Sequence, residues 1–333
     1  MDISSSKNLQ NYLSLVKSRG KKILIITDEN LYLIYNTLLK QLNFPVLVLK
    51  SGEKVKSRKG KEQIEDYLFA NNYCKNTELI AFGGGVILDL VGFTAATYMR
   101  GVVFSVIATT ITALVDASIG GKNGINTKYG KNLLGSFYDP VDVCRESMFL
   151  NTLPKDLYVE QFSEIVKIAL VLDRDFFFDR KNPLEKAVEL KKKIVQLDQK
   201  DEGIRQILNF GHTFAHALEL VTEYKVSHGR AVWMGLYFES ILSYNLGVLD
   251  KNDFNILEPI LKKEFISSVF DLLDEEKLYN AMLLDKKNKN DTPSFILLKK
   301  IGCVAQNIAT TVCKDKILST LKELKSEGLC TLK

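Results

Sequence analysis

The chain holds only three histidines, and they stand close together: His212 and His216 in NFGHTFAHALEL, and His228 in VSHGRAVWMGL. Imidazole is the commonest side-chain ligand for a divalent metal, and on a helix the i, i+4 spacing of His212 and His216 places both rings on one face. That spacing leaves two arrangements open: both rings chelate one ion, or one ligates while the other moves protons. A carboxylate would be the third ligand. Glu164, in EQFSEIVKIAL, fits, because it interrupts an otherwise apolar helical face and has Lys167 one turn later. An ordinary Glu–Lys ion pair along a helix is the competing reading of those two residues.

A second set of residues suits a phosphate-bearing ligand. Gly83, Gly84 and Gly85 follow the apolar run ELIAF and precede VILDLVGFTAATYMR, so the chain passes from strand to helix on three residues without side chains. Backbone amides there can approach a pyrophosphate, and the helix N-terminus adds partial positive charge. The spacing is not Gly-x-Gly-x-x-Gly, and a tight turn needing positive φ is the bland alternative. Asp28, the segment Ser51–Lys56 and the pair Thr109–Thr110 follow three further apolar runs, where parallel strands deliver ligand contacts. For Asp28 alone, a helix cap explains the residue equally well.

These groups need a scaffold, and the hydrophobic pattern indicates one. In the first half, β-branched runs (ILIIT at 23–27, PVLVLK at 45–50, ELIAF at 78–82, VVFSVIA at 102–108) alternate with segments of helical period. Such alternation predicts a parallel sheet flanked by helices. From about Thr152 the segments become long and helical, with Pro154 near a helix start and one late strand pair expected around Phe295–Leu298 and Cys303–Ala305. The expected division is an α/β domain over residues 1–151 and a mainly α-helical domain over 152–333, with no low-complexity linker between them. A ligand is expected where the two meet.

Composition narrows the function classes. With 46% hydrophobic and 26% charged residues, the 333-residue chain is of ordinary globular type. Five scattered cysteines without a Cys-x-x-Cys pair suggest neither a disulfide framework nor a thiolate metal site. A net charge of +5 does not call for nucleic acid and suits small anionic partners. No apolar stretch approaches the length of a membrane span, and the N-terminal segment reads as a short amphipathic helix without the features of a secretion signal. A cytoplasmic protein is the expectation.

Taken in order, GGGVILDLVGFTAATYMRG, TTITALVDASIGGKNGIN, GKNLLGSFYDP, SEIVK, DEGIRQILNFGHTFAHALE, SHGRAV and LLDKK before an FILL strand resemble the 3-dehydroquinate synthase family, from about Asp28 to Lys287. The resemblance implies a Rossmann-like N-terminal domain, a helical C-terminal domain, and a homodimer that binds its ligands between the domains. It implies a divalent metal, zinc in the first place and cobalt in the second, held by Glu164, His212 and His228, with His216 left to contact phosphate and move protons. NAD would be held by Asp28, Asn30, Glu53, Lys56, Gly84, Gly85, Asp89, Thr109, Thr110, Lys131, Phe149 and Thr152. The implied substrate is 3-deoxy-D-arabino-heptulosonate 7-phosphate. Around it would stand Asp116, Lys122, Asn132, Lys167, Lys191, Arg205, Asn209 and one or both of Lys286 and Lys287, with Arg100 reaching across the dimer. The implied reaction is transient oxidation by NAD, phosphate elimination, re-reduction and intramolecular aldol closure to 3-dehydroquinate. That step belongs to the shikimate route to chorismate and the aromatic amino acids.

Several positions depart from the family pattern. Asp156-Leu157 stands where Arg-Glu is common, Gln161 where Gly is common, Gln199 where Glu is frequent, and Arg230 where Glu is common. Leu157 removes an expected polar contact to the cofactor, and Arg230 is expected to place a cation near His228. Two rival readings share the cofactors: a sister sugar-phosphate cyclase, and a metal-dependent polyol dehydrogenase that would release NADH. Lys191 and Arg205 argue against the first, because a substrate carboxylate calls for cations of this kind.

Overall fold

A computed structural model describes residues 4–6, 8–179, 181–264, 273–284, 292–306 and 309–330. Its contacts divide into two compact units, Met1–Lys155 and Asp156–Lys333. Among the described residues no helix is long and apolar enough to cross a membrane.

The first unit is built on β1 (Ser4–Ser6), α1 (Leu9–Ser18), β2 (Lys22–Asp28), α2 (Glu29–Leu42), β3 (Val46–Leu49), α3 (Arg58–Ala70), β4 (Thr77–Gly83), α4 (Gly85–Thr97), β5 (Val103–Ala108), β6 (Lys122–Thr127), β7 (Gly130–Phe137) and β8 (Asp142–Cys144). Six strands form one sheet in the order β1-β8-β5-β4-β2-β3, and every pairing is parallel. The continuous apolar runs arise from this arrangement: a strand covered by helices on both faces has no wet side, and β4 is buried from end to end. Helix α4 is buried almost all round, Ile87, Leu88, Leu90 and Val91 among its contacts, so it has no polar face to present. The antiparallel hairpin β6–β7 packs on it, and Gly92 makes the approach feasible, since a Cβ there would lie 2.0 Å from Asn123 Oδ1.

The expected parallel sheet is therefore present, with additions. The N-terminal segment forms α1 as expected and also β1, a polar Ser-Ser-Ser strand that pairs with β8. The Gly-rich stretch 120–137, read as a motif region, forms the β6–β7 hairpin.

A buried polar network holds the sheet to α1. Glu78 in β4, fully buried, accepts two hydrogen bonds from the Arg19 guanidinium at 2.8 and 2.7 Å and one from Ser105 Oγ at 2.7 Å. Ser105 is thereby committed as a donor, so the Tyr12 hydroxyl must donate to it at 2.7 Å. The pairing with Glu78 raises the Arg19 pKa above its ordinary value, and burial raises that of Tyr12. Removing one partner of a buried pair strands the other's charge. Arg19→Ala is expected to lower stability by about 3–5 kcal/mol, read from the urea midpoint, and adding Glu78→Leu should recover part of it. An unchanged midpoint in Arg19→Ala would contradict this account.

The second unit carries α5 (Lys155–Gln161, its first residue in the other unit), α6 (Ser163–Leu172), α7 (Arg174–Phe178), α8 (Pro183–Leu197), α9 (His212–Val221), α10 (His228–Asn245), α11 (Lys251–Lys262), α12 (Glu275–Met282), β9 (Ser294–Phe295), β10 (Leu298–Lys300), β11 (Cys303–Val304), β12 (Thr310–Thr311) and α13 (Lys314–Cys330). Helix α10 is its axis: every residue from Ala231 to Ser243 is buried. Helix α6 is buried from Ser163 to Val171, which explains why its sequence has so little polar character apart from Glu164 and Lys167. The late strand pair forms at Leu298 and Val304, and a second short ladder, not expected from the sequence, pairs Phe295 with Thr310.

Candidate active site

The ends of three helices build a compact cluster. Glu164 lies in the first turn of α6, and His212 and His228 are the first residues of α9 and α10. One ligand atom from each falls within 4.8 Å of the others, the group that could hold a metal ion among the described residues. His212 Nε2 is 3.6 Å and His228 Nε2 is 3.4 Å from Glu164 Oε1. Lys167 Nζ stands 2.5 Å from Oε2, yet neither carboxylate oxygen accepts a hydrogen bond of good geometry. A carboxylate that is 1% exposed and not so satisfied, faced by two imidazole nitrogens, is a donor set that suits a divalent cation.

The tautomers follow from the neighbours. His212 Nδ1 faces the Phe210 carbonyl at 3.2 Å, an acceptor only, so the proton belongs on Nδ1 and Nε2 keeps its lone pair. Electrostatics agree with a site made for positive charge. Burial opposes ionisation of Glu164, but Lys167 and the two imidazoles hold its carboxyl well below the usual range. Burial and Lys167 together lower the His212 pKa. For His228 burial also acts downward, but Glu164 and Glu219 outweigh it and push the ring up to about 10.

Local backbone geometry fixes the two histidine helices. Gly211 precedes α9 with φ +81, and a Cβ there would lie 3.0 Å from the Leu236 amide nitrogen. Its N–H donates to Glu239 Oε2 at 2.7 Å, so a fully buried carboxylate of α10 serves as the cap that α9 lacks from its own sequence. Gly235 completes the contact, since a Cβ on it would lie 1.9 Å from the Gly211 carbonyl oxygen.

His216 is exposed, one turn beyond His212, with ring centroids 5.4 Å from His212 and 6.3 Å from His228, and it is outside the three-ligand group. Lys167, Lys191 and Arg205 are buried at 2%, 5% and 3% exposure, uncommon for cations of this length. Arg205 Nη1 donates to the Gln199 carbonyl at 2.8 Å, a backbone contact that the Gln199 side chain does not alter. Asn209 Nδ2 donates to the Gln206 carbonyl at 3.0 Å. Lys286 and Lys287 lie outside the described residues.

Arg230 does not leave an unanswered cation beside His228. Its Nε donates to Glu160 Oε1 at 2.5 Å, and Ser227 Oγ donates to the other oxygen at 2.6 Å, clamping the start of α10 to the end of α5. Gly229 lets the backbones touch there, because a Cβ would lie 2.5 Å from the Glu160 carbonyl oxygen. Leu157 is partly exposed and brings no polar atom to its position.

In the first unit, the carboxyl ends of four adjacent strands collect the residues read as a nucleotide surface. Asp28 ends β2 and caps α2, accepting from the Asn30 and Leu31 amides at 2.9 and 3.1 Å, so the capping reading holds for it. Gly84 is the N-cap of α4 and Gly85 its first residue, and no side chain caps that end. Neither has positive φ. What excludes a side chain at Gly84 is the close approach of Thr110, 3.0 Å from a Cβ, and not a left-handed turn. Thr109 Oγ1 is buried without a hydrogen bond, and Thr110 Oγ1 accepts from the Ala113 amide. Lys56 pairs with Asp89, whose carboxyl burial raises above its ordinary value despite that lysine. Asn126 Nδ2 donates to Glu53 Oε1 at 2.6 Å, Lys131 lies 4.0 Å from the same oxygen, and the Asn132 amide donates to Asn126 Oδ1.

Four residues stand apart in kind. Phe149 is fully buried against Tyr35 and Phe82, its N–H donates to the Glu146 carbonyl and its own carbonyl accepts from Thr152 Oγ1 at 3.2 Å; Tyr35 Oη lies 2.7 Å from Thr152 Oγ1. Arg100 is exposed in a run of three positive-φ residues, Met99, Arg100 and Gly101, whose carbonyls all accept from Lys75 Nζ. Lys122 is exposed at the start of β6, and Asp116, half-buried, lies in the π-helical turn Ala113–Ala117. Two residues with a bearing on the cluster of Glu164, His212 and His228 escaped the sequence reading, Glu219 and Glu239. Glu219 had a legible signal: it lies seven residues after His212, on the same helical face, and is charged where its neighbours are apolar.

Comparison with known proteins adds the following. Residues 46–160 match the model of the 3-dehydroquinate synthase N-terminal family and residues 161–288 that of its C-terminal family. The 3-dehydroquinate synthase of Campylobacter fetus subsp. fetus (strain 82-40) is 39% identical, with 98% of this chain and 99% of that protein covered. That of Helicobacter pylori (strain HPAG1) is 40% identical over 91% and 92%. Among solved structures, 2-epi-5-epi-valiolone synthase from Streptomyces hygroscopicus subsp. jinggangensis 5008, with NAD+ and Zn2+ bound, superposes with a TM-score of 0.85 at 22% identity, covering 98% and 97%, a likeness of fold.

Proposed function

The chain belongs to the 3-dehydroquinate synthase family, and from that premise we propose that it converts 3-deoxy-D-arabino-heptulosonate 7-phosphate into 3-dehydroquinate and phosphate, using NAD and a divalent metal, zinc in the first place. The observation that carries this reading is the convergence of Glu164, His212 and His228 on one point with their ligand atoms turned inward. The zinc and NAD+ of the valiolone synthase structure support it as well.

When bound, the metal supplies positive charge against a developing alkoxide and the nicotinamide accepts and returns a hydride. The chain does the rest. Glu164, His212 and His228 would hold the metal, and Lys167 keeps Glu164 ionised in its buried setting. Lys191, Arg205 and Asn209, with Lys122, Asn132, Asp116 and Arg100, provide the cations and amides that fix a carboxylate and a phosphate in one conformer. His216, exposed beside the cluster, exchanges protons with the substrate, and the substrate's own phosphate removes the proton that leaves with it. Asp28, Asn30, Glu53, Lys56, Gly84, Gly85, Asp89, Thr109, Thr110, Lys131 and Thr152, with the backbone of Phe149, hold NAD, the uncapped end of α4 receiving its pyrophosphate. The active form is a homodimer in the cytoplasm.

Phosphate release from the heptulosonate phosphate tests the assignment. Release is expected only with NAD present, is abolished by a chelator and restored by added zinc, and leaves no net NADH. Accumulation of NADH with glycerol and no phosphate release would sink it in favour of a polyol dehydrogenase.

A further inference from the structure

We infer that Glu219 is a positioning residue of the metal centre, holding His228 in the orientation and tautomer that ligation requires; this rests on the metal assignment just proposed. Glu219 Oε1 lies 3.5 Å from His228 Nδ1, while the opposite ring nitrogen, Nε2, is the one that faces Glu164. A carboxylate accepts and does not donate, so the Nδ1 proton is drawn to Glu219 and the lone pair of Nε2 is left for the metal. The two histidines then follow one plan with different acceptors. His212 donates its Nδ1–H to the Phe210 carbonyl, a backbone group that comes with the start of α9. His228 begins α10, where the role passes to a side chain borrowed from α9.

Helix α9 therefore contributes twice to the same centre, through His212 as ligand and, two turns on, through Glu219 as the partner of the ligand on α10. The burial of Glu219 supports a specific role. It is 2% exposed on a helix whose other buried positions include Phe214, Ala215, Ala217 and Leu218, and a carboxylate is costly there unless a cationic or donor group answers it. His228 is that group. A second anion behind the ring also strengthens the imidazole as a ligand.

Cobalt(II), added to metal-stripped full-length protein and followed by its visible absorption and by competition with a chelator, tests the role. Glu219→Ala is expected to weaken cobalt binding by roughly 10–100-fold and to shift the absorption bands. Glu219→Gln, whose amide oxygen still accepts from Nδ1 but carries no charge, is expected to fall between that variant and the unaltered chain. Should the alanine variant fail to fold, the glutamine variant decides. Two folded variants, or the glutamine variant alone in that case, with cobalt affinity within about twofold of the unaltered chain and the same spectrum would overturn the role of Glu219 only. An unaltered chain that takes up no cobalt would overturn this inference together with the metal assignment.

Discussion

Glu164→Gln is expected to bring the protein's metal content close to zero and turnover down by on the order of 10³-fold or more. The first effect follows from charge and geometry. Glu164 would be the one anionic ligand of the three, its Oε1 lying 3.6 and 3.4 Å from the imidazole nitrogens that would share the ion. An amide of the same shape keeps the packing but presents a neutral oxygen beside the Lys167 ammonium, which then repels an incoming dication without compensation. The second effect follows from what the centre supplies, several kcal/mol of charge stabilisation, at about 1.4 kcal/mol per decade of rate. Elemental analysis of the purified variant and phosphate release at saturating NAD are the measurements. A variant that folds and still carries a full equivalent of metal would remove Glu164 from the ligand set.

His216→Ala should behave in the opposite way, with metal content near that of the unaltered chain and kcat lower by about 10²–10⁴-fold, the usual contribution of a positioned proton-transfer group. The separation is geometric. His216 shares a helix face with His212, yet its exposed ring stays outside the group formed by Glu164, His212 and His228. His212→Ala is the companion measurement, since it removes a ligand from the buried cluster and should deplete metal. If both alanine variants lose metal equally, His216 is a ligand and the division of roles is wrong.

The parts of the fold that could be read in advance are those where burial dictates composition. Strands β2, β4 and β5 are covered on both faces, so their sequences are unbroken apolar runs, and their strand-to-helix junctions stand out by contrast. Strand β1 and the β6–β7 hairpin lack that signature. Ser4–Ser6 is a run of small polar residues, and KNGINT and GKNLLGSF carry glycines where one strand lies on the other, so propensity there points to loop.

The grouping of His212 and His228 was legible because histidine is so rare in this chain that proximity in sequence meant something. The same reading left open which histidines ligate, since a helical face relates His212 to His216 but says nothing of Glu164, which comes from another helix. Arg230 shows the reverse limit. Read singly it is a cation next to a ligand; its partner Glu160 lies 70 residues earlier, and only the packing of α5 on Gly229 makes the pair evident.

Where α9 meets α10, hydrogen atoms of Gly211 and Gly235 take the place of side chains, and the main chains rest on each other. Such a junction works as a fixed ruler: the gap between the two histidine-bearing helices cannot be shortened, and any bulk added to either glycine would force it wider. Adapting the pocket to an ion of another radius would then fall to the reach of the ligands themselves, with a shorter carboxylate such as Glu164→Asp as the first design step, because the scaffold offers no adjustable spacing.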